Sequence, residues 1–376
     1  FFFNQKPAYA ILSGLVGSEM CIRDRNNFPM KTKILITGGG GFIGGAVIRK
    51  LLKHSDCIIY NLDKMGYASD LTSINNVLQN LNLEKEKRHE LLKIDLTNSL
   101  KTIEAVKYAD PDLIMHLAAE SHVDRSIEGP GEFIKSNILG TFNLLEAARS
   151  HYEKLSFERK SNFRFHHIST DEVFGTLGEE GQFSEDTKYD PRSPYSASKA
   201  SSDHLVNSWH HTFGLPTLIT NCSNNYGPWQ YPEKLIPKII INALQNSKIP
   251  IYGNGKNIRD WLYVEDHAEA LIEVLNRGEI GEKYCIGGNE ERSNNEIAEI
   301  ICNYLDIIYP RTNTYKKLIT YVEDRKGHDF RYSINANKIK KSLNWFPKLS
   351  FKEGIEKTVN WYLKNKEWSV KFLKKF

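Results

Sequence analysis

Two groups of residues in this chain have types and spacings suited to chemistry. Tyr195 and Lys199, in Tyr195-Ser196-Ala197-Ser198-Lys199, are four apart and share one face of a helix. An ammonium beside a phenol stabilises the phenolate and lowers its pKa, which suits a base in hydride transfer. Ser169-Thr170-Asp171-Glu172 follows the strand candidate Phe163 to Ile168 and sets two carboxyl groups side by side. Such a pair can divide acid and base work when its surroundings separate the two pKa values. Each pattern also has an ordinary reading: a Tyr/Lys pair is commonly surface decoration, and an acidic pair commonly caps a turn. Their place behind a glycine-rich turn and a fifth strand favours the chemistry.

That turn is the element the rest must serve. Lys33 to Thr37 is a short apolar strand, and Phe42 to Leu52 places apolar side chains at helical spacing. The glycines between fit both G-x-G-x-x-G (Gly39, Gly41, Gly44) and G-x-x-G-x-x-G (Gly38, Gly41, Gly44). A tight turn with close backbone approach needs glycine, and the helix behind it points N–H groups and a positive dipole end at a pyrophosphate. A second strand, Cys57 to Leu62, ends in Asp63, an acid that suits ribose hydroxyls and disfavours a 2′-phosphate. The expectation is a dinucleotide site holding NAD. Lys64-Met65-Gly66-Tyr67 is placed to cover the adenosine.

Further strands are expected at Leu91 to Asp95, Asp112 to Leu117 and Phe163 to Ile168, alternating with helices such as Phe133 to Arg149. The fold class is therefore α/β: a Rossmann-type doubly wound parallel sheet, with ligands at the strands' carboxyl ends. From about Thr220 prolines and glycines become frequent, and Lys234 to Gln245 and Asn294 to Leu305 read as helices. The domains expected are an NAD-binding Rossmann domain over residues 30–220 and a smaller α/β substrate domain over 221–376. The second is expected to lend a strand to the sheet around Asp260 to Val264. Residues 1–29 read as a non-native or disordered leader, because Met30 stands directly ahead of the first strand.

Composition limits the functional classes. A net charge of +4 over 376 residues gives no case for nucleic acid, and no apolar run reaches membrane-spanning length. The five cysteines are scattered with no C-x-x-C pair, which points to a reduced, cytoplasmic setting and no metal site. His166, His167, His210 and His211 read as structural, Cys222 as a packed thiol, and Trp261 and Tyr263 as core.

Longer motifs carry a resemblance. His116-Leu117-Ala118-Ala119-Glu120-Ser121-His122-Val123-Asp124-Arg125-Ser126 is one, and Asn221-Cys222-Ser223-Asn224-Asn225-Tyr226-Gly227-Pro228 another. Ile258 to Asp266 and Asp324-Arg325-Lys326-Gly327-His328-Asp329 complete the set. Together with Thr170-Asp171-Glu172 and Tyr195/Lys199, they make the chain from Met30 onward resemble the dTDP-glucose 4,6-dehydratases, extended short-chain dehydrogenase/reductases. The glycine loop and Y-x-x-x-K mark only the superfamily; the Thr-Asp-Glu triplet separates dehydratases from epimerases.

The resemblance implies an NAD-dependent lyase that converts dTDP-glucose to dTDP-4-dehydro-6-deoxyglucose plus water. The C5 proton of glucose is not acidic until C4 becomes a ketone. In the implied route Tyr195, helped by Lys199, takes the O4 proton as NAD⁺ takes the C4 hydride. Glu172 removes the C5 proton while Asp171 protonates the departing C6 hydroxyl, and the hydride returns to C6. Thr170 would hydrogen-bond the sugar near O4. Implied cofactor contacts are Gly38, Gly41, Phe42, Ile43, Gly44, Asp63, Lys64, Asp95, Leu96, Leu117, Ala118, Ala119, Ser136, Tyr195, Lys199 and Asn225. Implied substrate contacts are Ser121, Thr170, Asn224, Lys234, Leu235, Pro250, Tyr252, Arg259, Asn294, Asp324, Arg325 and His328. Arginine suits a diphosphate because its planar fork matches phosphate geometry. A homodimer through helices Phe133 to Arg149 and Tyr195 to Phe213 is also implied, as is a place in deoxysugar biosynthesis. Three positions depart from the family pattern: Ser136 stands for threonine, Phe174 for tyrosine and Lys326 for proline. A UDP- or GDP-sugar dehydratase, a nucleotide-sugar 4-epimerase and a non-enzymatic binding module are the alternatives.

Overall fold

The computed structural model describes residues 28–29, 31–83 and 87–373. Most of the expected leader lies outside the described residues; within them, Phe28 packs against the core, and the Pro29 carbonyl accepts from the Thr32 amide and hydroxyl.

The central sheet is parallel and seven-stranded, in the order β10-β6-β5-β4-β1-β2-β3. Its strands are β1 (Lys33–Thr37), β2 (Ile58–Asp63), β3 (His89–Lys93), β4 (Leu113–His116), β5 (Arg164–Thr170), β6 (Thr217–Cys222) and β10 (Lys283–Ile286). Burial on both faces explains the continuous apolar runs. Ile34 and Ile36 enter one core layer while Leu35 enters the other, as the two-residue period of a strand requires. On the first face lie α1 (Phe42–His54), α2 (Thr72–Asn80) and α7 (Val264–Arg277). On the second lie α3 (Ser99–Ala109), α4 (Gly140–Lys154) and α5 (Pro194–Phe213). The strand order reverses between β1 and β4, the switch point at which such sheets bind ligands.

A second core belongs to the later chain. It packs α6 (Leu235–Leu244), α8 (Asn294–Ile308) and α9 (Phe351–Lys364) around β8 (Ile249–Tyr252) and Trp261. A three-stranded sheet joins β11 (Glu291–Ser293), β9 (Ile258–Tyr263) and β7 (Asn224–Tyr226), while β12 (Ile319–Val322) pairs with β8.

The chain interleaves the two parts differently from expectation. The strand lent to the large sheet is β10, in register with β6 from Lys283 and Ile219 to Ile286 and Cys222. The stretch expected there is β9, in the small sheet. Helix α7 also returns, sealed to α1 by Arg49–Glu265 at 2.6 Å and Lys50–Glu269 at 2.7 Å. The expected helix from Phe133 contains a π-helical turn, Ile134–Leu139, before α4 begins. No helix among the described residues is long and apolar enough to cross a membrane.

Candidate active site

The turn after β1 settles which glycine spacing matters. Gly38 has φ +72°, and a Cβ there would lie 2.7 Å from the Ala118 backbone. A Cβ on Gly44 would lie 2.3 Å from the Gly38 carbonyl oxygen, and Gly41 is the N-cap of α1. Gly38, Gly41 and Gly44 line the cavity that opens beyond the turn, whereas Gly39, where a Cβ would lie 2.3 Å from Asn61 Oδ1, does not. Asp63, at the end of β2, is fixed by the Gly40 amide at 2.9 Å, the Met65 amide at 2.7 Å and the Ser69 hydroxyl at 2.9 Å.

A cavity of about 330 Å³ opens beyond this turn. Gly38, Gly41, Phe42, Ile43, Gly44, Asp63, Lys64, Asp95, Leu96, Leu117, Ala118, Ala119, Ser136 and Asn225 line it, and so do Thr170, Asp171, Glu172, Tyr195 and Lys199. Residues expected from distant stretches of chain thus share one wall. Lys64 is tied across the mouth to Glu120 at 2.6 Å.

Local rules place the reactive groups. Helix α5 starts with a capping box between Ser193 and Ser196 and with Pro194 in its first turn, so Tyr195 and Lys199 stand one turn apart at its buried start. Strand β5 ends at Thr170, whose hydroxyl accepts from the Glu172 amide at 3.3 Å and donates to Asp171 Oδ1 at 3.2 Å. This capped turn, Asp171–Phe174, directs both acids into the cavity, and the Thr170 hydroxyl lies within hydrogen-bonding reach of the Tyr195 phenol. Lys199 Nζ donates to the Ile168 carbonyl at 2.9 Å.

Charge separates the acids. Asp171 is pushed well above the usual carboxylate range by burial and by the negative Glu172 and Asp260. Glu172 is also raised by burial, but the cationic Arg259, Lys234 and Arg325 oppose the rise. The arrangement favours a proton on Asp171 over one on Glu172. The Tyr195 phenol is pushed up by burial and by the negative Glu172 nearby. This differs from the expectation of a depressed phenol: Lys199 is itself pulled down by burial, and its ammonium is spent on the Ile168 carbonyl.

The expected substrate residues divide. Ser121, Asn224 and Lys234 line the cavity with Thr170, and Lys234 Nζ bridges to the Ser121 carbonyl at 2.8 Å. Leu235, Pro250, Tyr252, Arg259, Asn294, Asp324, Arg325 and His328 stand outside its wall. Several of these form a cluster beside it. Arg325 holds Asp124 in a two-pronged ion pair at 2.5 and 3.1 Å, and Tyr252 donates to the same carboxylate at 3.3 Å. His328 meets Asp324 at 2.6 Å, and Arg259 donates to the Asp329 carbonyl at 2.9 Å while lying over the Tyr332 ring. Asn294 opens α8, Pro250 lies in β8 and Leu235 begins α6.

Some lining residues were not anticipated. Glu233 is one: Tyr67 donates to its Oε1 at 2.9 Å, and its buried Oε2 has no hydrogen-bond partner. Only its adjacency to Lys234 hinted at it. Arg49, Asp70, Trp229 and Trp368 also line the cavity. Trp368 arrives from the end of the chain and donates to Asp70 at 2.8 Å, a contact no local pattern signals.

The residues present fit a dinucleotide. The cradle at Gly38 and Gly44 admits no Cβ, and the buried Asp171 Oδ2 and Asn224 Oδ1 have no hydrogen-bond partner within the protein. A family model described as GDP-mannose 4,6 dehydratase matches residues 35–358. The dTDP-glucose 4,6-dehydratase of Salmonella typhimurium is 51% identical over 345 residues, covering 89% of this chain and 94% of the relative. The chain belongs to the dTDP-glucose 4,6-dehydratase family. An Escherichia coli member is 52% identical over 349 residues, covering 89% of this chain and 95% of its own. The crystal structure of the Bacillus anthracis dTDP-glucose 4,6-dehydratase in complex with NAD matches with a TM-score of 0.79 at 39% identity, covering 92% of this chain and all of that one. Family membership makes the chain an NAD-dependent hydro-lyase on a Rossmann-type sheet.

Proposed function

We propose that this chain converts dTDP-glucose to dTDP-4-dehydro-6-deoxyglucose and water. The observation that carries the reading is the pair of neighbouring acids, unlike in charge environment, in one cavity with Tyr195 and Lys199. NAD, when bound, supplies the two-electron acceptor that is restored at the end of each turnover.

This chain's residues supply the proton movements. Tyr195 accepts the O4 proton as C4 becomes a ketone, with Thr170 holding the phenol and the sugar oxygen in register. The ketone makes C5 acidic. Glu172, its charge favoured by Arg259, Lys234 and Arg325, takes the C5 proton; Asp171, held protonated by burial, delivers a proton to the departing C6 hydroxyl. Glu172 then returns its proton to C5. The glycine turn and the start of α1 would hold the pyrophosphate, Asp63 and Lys64 the adenosine ribose, and Asp95 and Leu96 the adenine. Leu117, Ala118, Ala119, Ser136 and Asn225 would complete the cofactor contacts.

Ser121, Asn224 and Lys234 would meet the nucleotide sugar from the cavity side, and Leu235, next to Lys234 at the start of α6, from just outside it. Pro250, Tyr252, Arg259, Asn294, Asp324, Arg325 and His328 would meet it from the neighbouring cluster, where two guanidinium groups suit a diphosphate. The reading extends to a homodimer: Ile134, Leu139, Phe142 and Phe213 are large apolar side chains left exposed on the π-turn, α4 and α5. It also extends to a reduced cytoplasmic setting, in keeping with the four described cysteines, all buried and unpaired.

Incubation with dTDP-glucose should yield a 4-keto-6-deoxy sugar, read by its absorbance in alkali. Absence of product from fully NAD-loaded protein overturns the reading. Competition by UDP- and GDP-sugars checks the nucleotide. Because an epimerase needs no acid beside its base, the Asp171/Glu172 pair speaks for dehydration over epimerisation.

A further inference from the structure

One buried charge next to the site takes no part in the proton movements above. Asp203 lies on α5, one helical turn after Lys199, and is 1% exposed. Three groups from three other parts of the chain converge on it. His167 of β5 approaches Oδ1 through Nε2 at 3.1 Å, Tyr189 of the loop before α5 donates to Oδ2 at 2.9 Å, and Asn221 of β6 donates to Oδ2 at 3.1 Å. The same Asn221 amide donates to the Thr170 carbonyl at 3.1 Å. A carboxylate so fully buried is expensive unless each lone pair is met and a positive charge stands nearby. The donors meet the lone pairs; Lys199 is the positive charge.

We propose that Asp203 is a positioning residue of this site: clamped by His167, Tyr189 and Asn221, it is the fixed counter-charge of Lys199. The proposal rests on the reading of Lys199 as partner of the Tyr195 base. The groups facing the pair are few. His167 is neutral in the working range, pushed down to about 4 by burial, so it donates a hydrogen bond but brings no charge. His116, at the end of β4, is likewise held neutral, and the Cys222 thiol is pushed up by burial. Burial alone drives Lys199 toward the uncharged amine, and Asp203 is the main influence opposing it. The carboxylate in turn is held below its ordinary range by His167 and Lys199 despite burial.

The test is the pH profile of dTDP-glucose conversion by full-length protein carrying Asp203→Asn, an isosteric change that removes the charge. Melting temperature and NAD content establish that the variant is folded and loaded. With the counter-charge gone Lys199 loses its proton at lower pH, so the alkaline limb should move toward acid by about one pH unit or more. A wild-type-like limb with uniformly lower activity assigns Asp203 a structural role and overturns the proposal. Failure of the wild type to make product would instead sink the reading of the site. Should Asp203→Asn not fold, Lys199→Met/Asp203→Asn removes both charges together and spares the fold an unpaired one. Compared with Lys199→Met alone, the double variant should turn over equally, since Asp203 acts through the missing ammonium. A further loss of about tenfold or more, as independent effects would give, rejects the proposal.

Discussion

Glu172 faces three cations, Arg259, Lys234 and Arg325, against the Asp329 carboxylate, whereas its neighbour Asp171 faces two other carboxylates, Glu172 and Asp260, against Arg259. Two acids one peptide bond apart, both raised by burial, therefore sit in unequal electrostatic settings. The 3-10 turn capped by Thr170 holds both acids in the one cavity. The first prediction follows from it. Glu172→Gln keeps the shape but removes the base, so dehydration should fall about 10²–10⁴-fold. C4 oxidation by Tyr195 should survive in part, seen as cofactor reduction when dTDP-glucose is added. A variant that still dehydrates at the wild-type rate moves the base elsewhere.

A second prediction uses the charge on Glu172 directly. The group works deprotonated and its pKa is raised, so activity should rise with pH through a value above that of an ordinary glutamate. Arg259 is the foremost influence holding that pKa down. Arg259→Met should therefore carry the acid limb of turnover to higher pH, on the order of one unit. An acid limb that stays in place means that Arg259 serves only the diphosphate.

Much of this was legible in the sequence, for reasons that are local. Strands β1, β2 and β4 are continuous apolar runs because both faces are covered, and the glycine turn declares itself because no Cβ fits at Gly38 or Gly44. Tyr195 and Lys199 were legible because helical spacing alone fixes their relation. What was hidden depends on contacts between distant segments. Strands β7 and β11 are three residues long and carry no periodicity, so their pairing with β9 follows from tertiary packing. Asp203 looks like any polar helix residue until His167, Tyr189 and Asn221 surround it. Arg325 suggested a phosphate ligand, yet here it is paired with Asp124, a partner 201 residues away.

Buried histidines give a third prediction, on stability. His166 and His267 are pushed down to about 3 and His167 to about 4 by burial. A depressed folded-state pKa means the unfolded chain binds more protons between these values and the ordinary value of about 6.5. Stability is then lost as pH falls from about 6.5 toward 4, at about 1.4 kcal/mol per pH unit for each histidine. Asp260, raised to about 6, works in the opposite sense, since its native proton favours the fold at low pH. His166→Gln, whose side-chain amide reaches the Nε2 position, can still meet the Thr220 hydroxyl 3.0 Å from that atom and has nothing to titrate. Its melting temperature should decline less steeply than the wild type between pH 6.5 and 4; parallel curves would show that His166 is not held neutral.

The last prediction concerns the loop after β2. Residues 64–70 lie over the cavity, and the chain's end holds them there: Trp368 donates its indole N–H to Asp70 at 2.8 Å and packs with Trp229 and Trp361. On the other side Tyr67 is gripped by Glu233 and by the Arg125 guanidinium 3.7 Å above its ring. A loop fastened at both ends slows escape of whatever lies beneath it, which suits a cofactor restored in every cycle. Trp368→Phe keeps an aromatic ring but removes the donor. A hydrogen bond to a carboxylate contributes about 1.5–3 kcal/mol, so NAD should leave roughly tenfold faster or more. Native mass spectrometry of the purified variant should show a larger apo fraction than the wild type, with the melting temperature of the NAD-saturated form little changed. Equal retention in the two proteins would mean that the clasp does not govern release, and that the glycine cradle alone holds the dinucleotide.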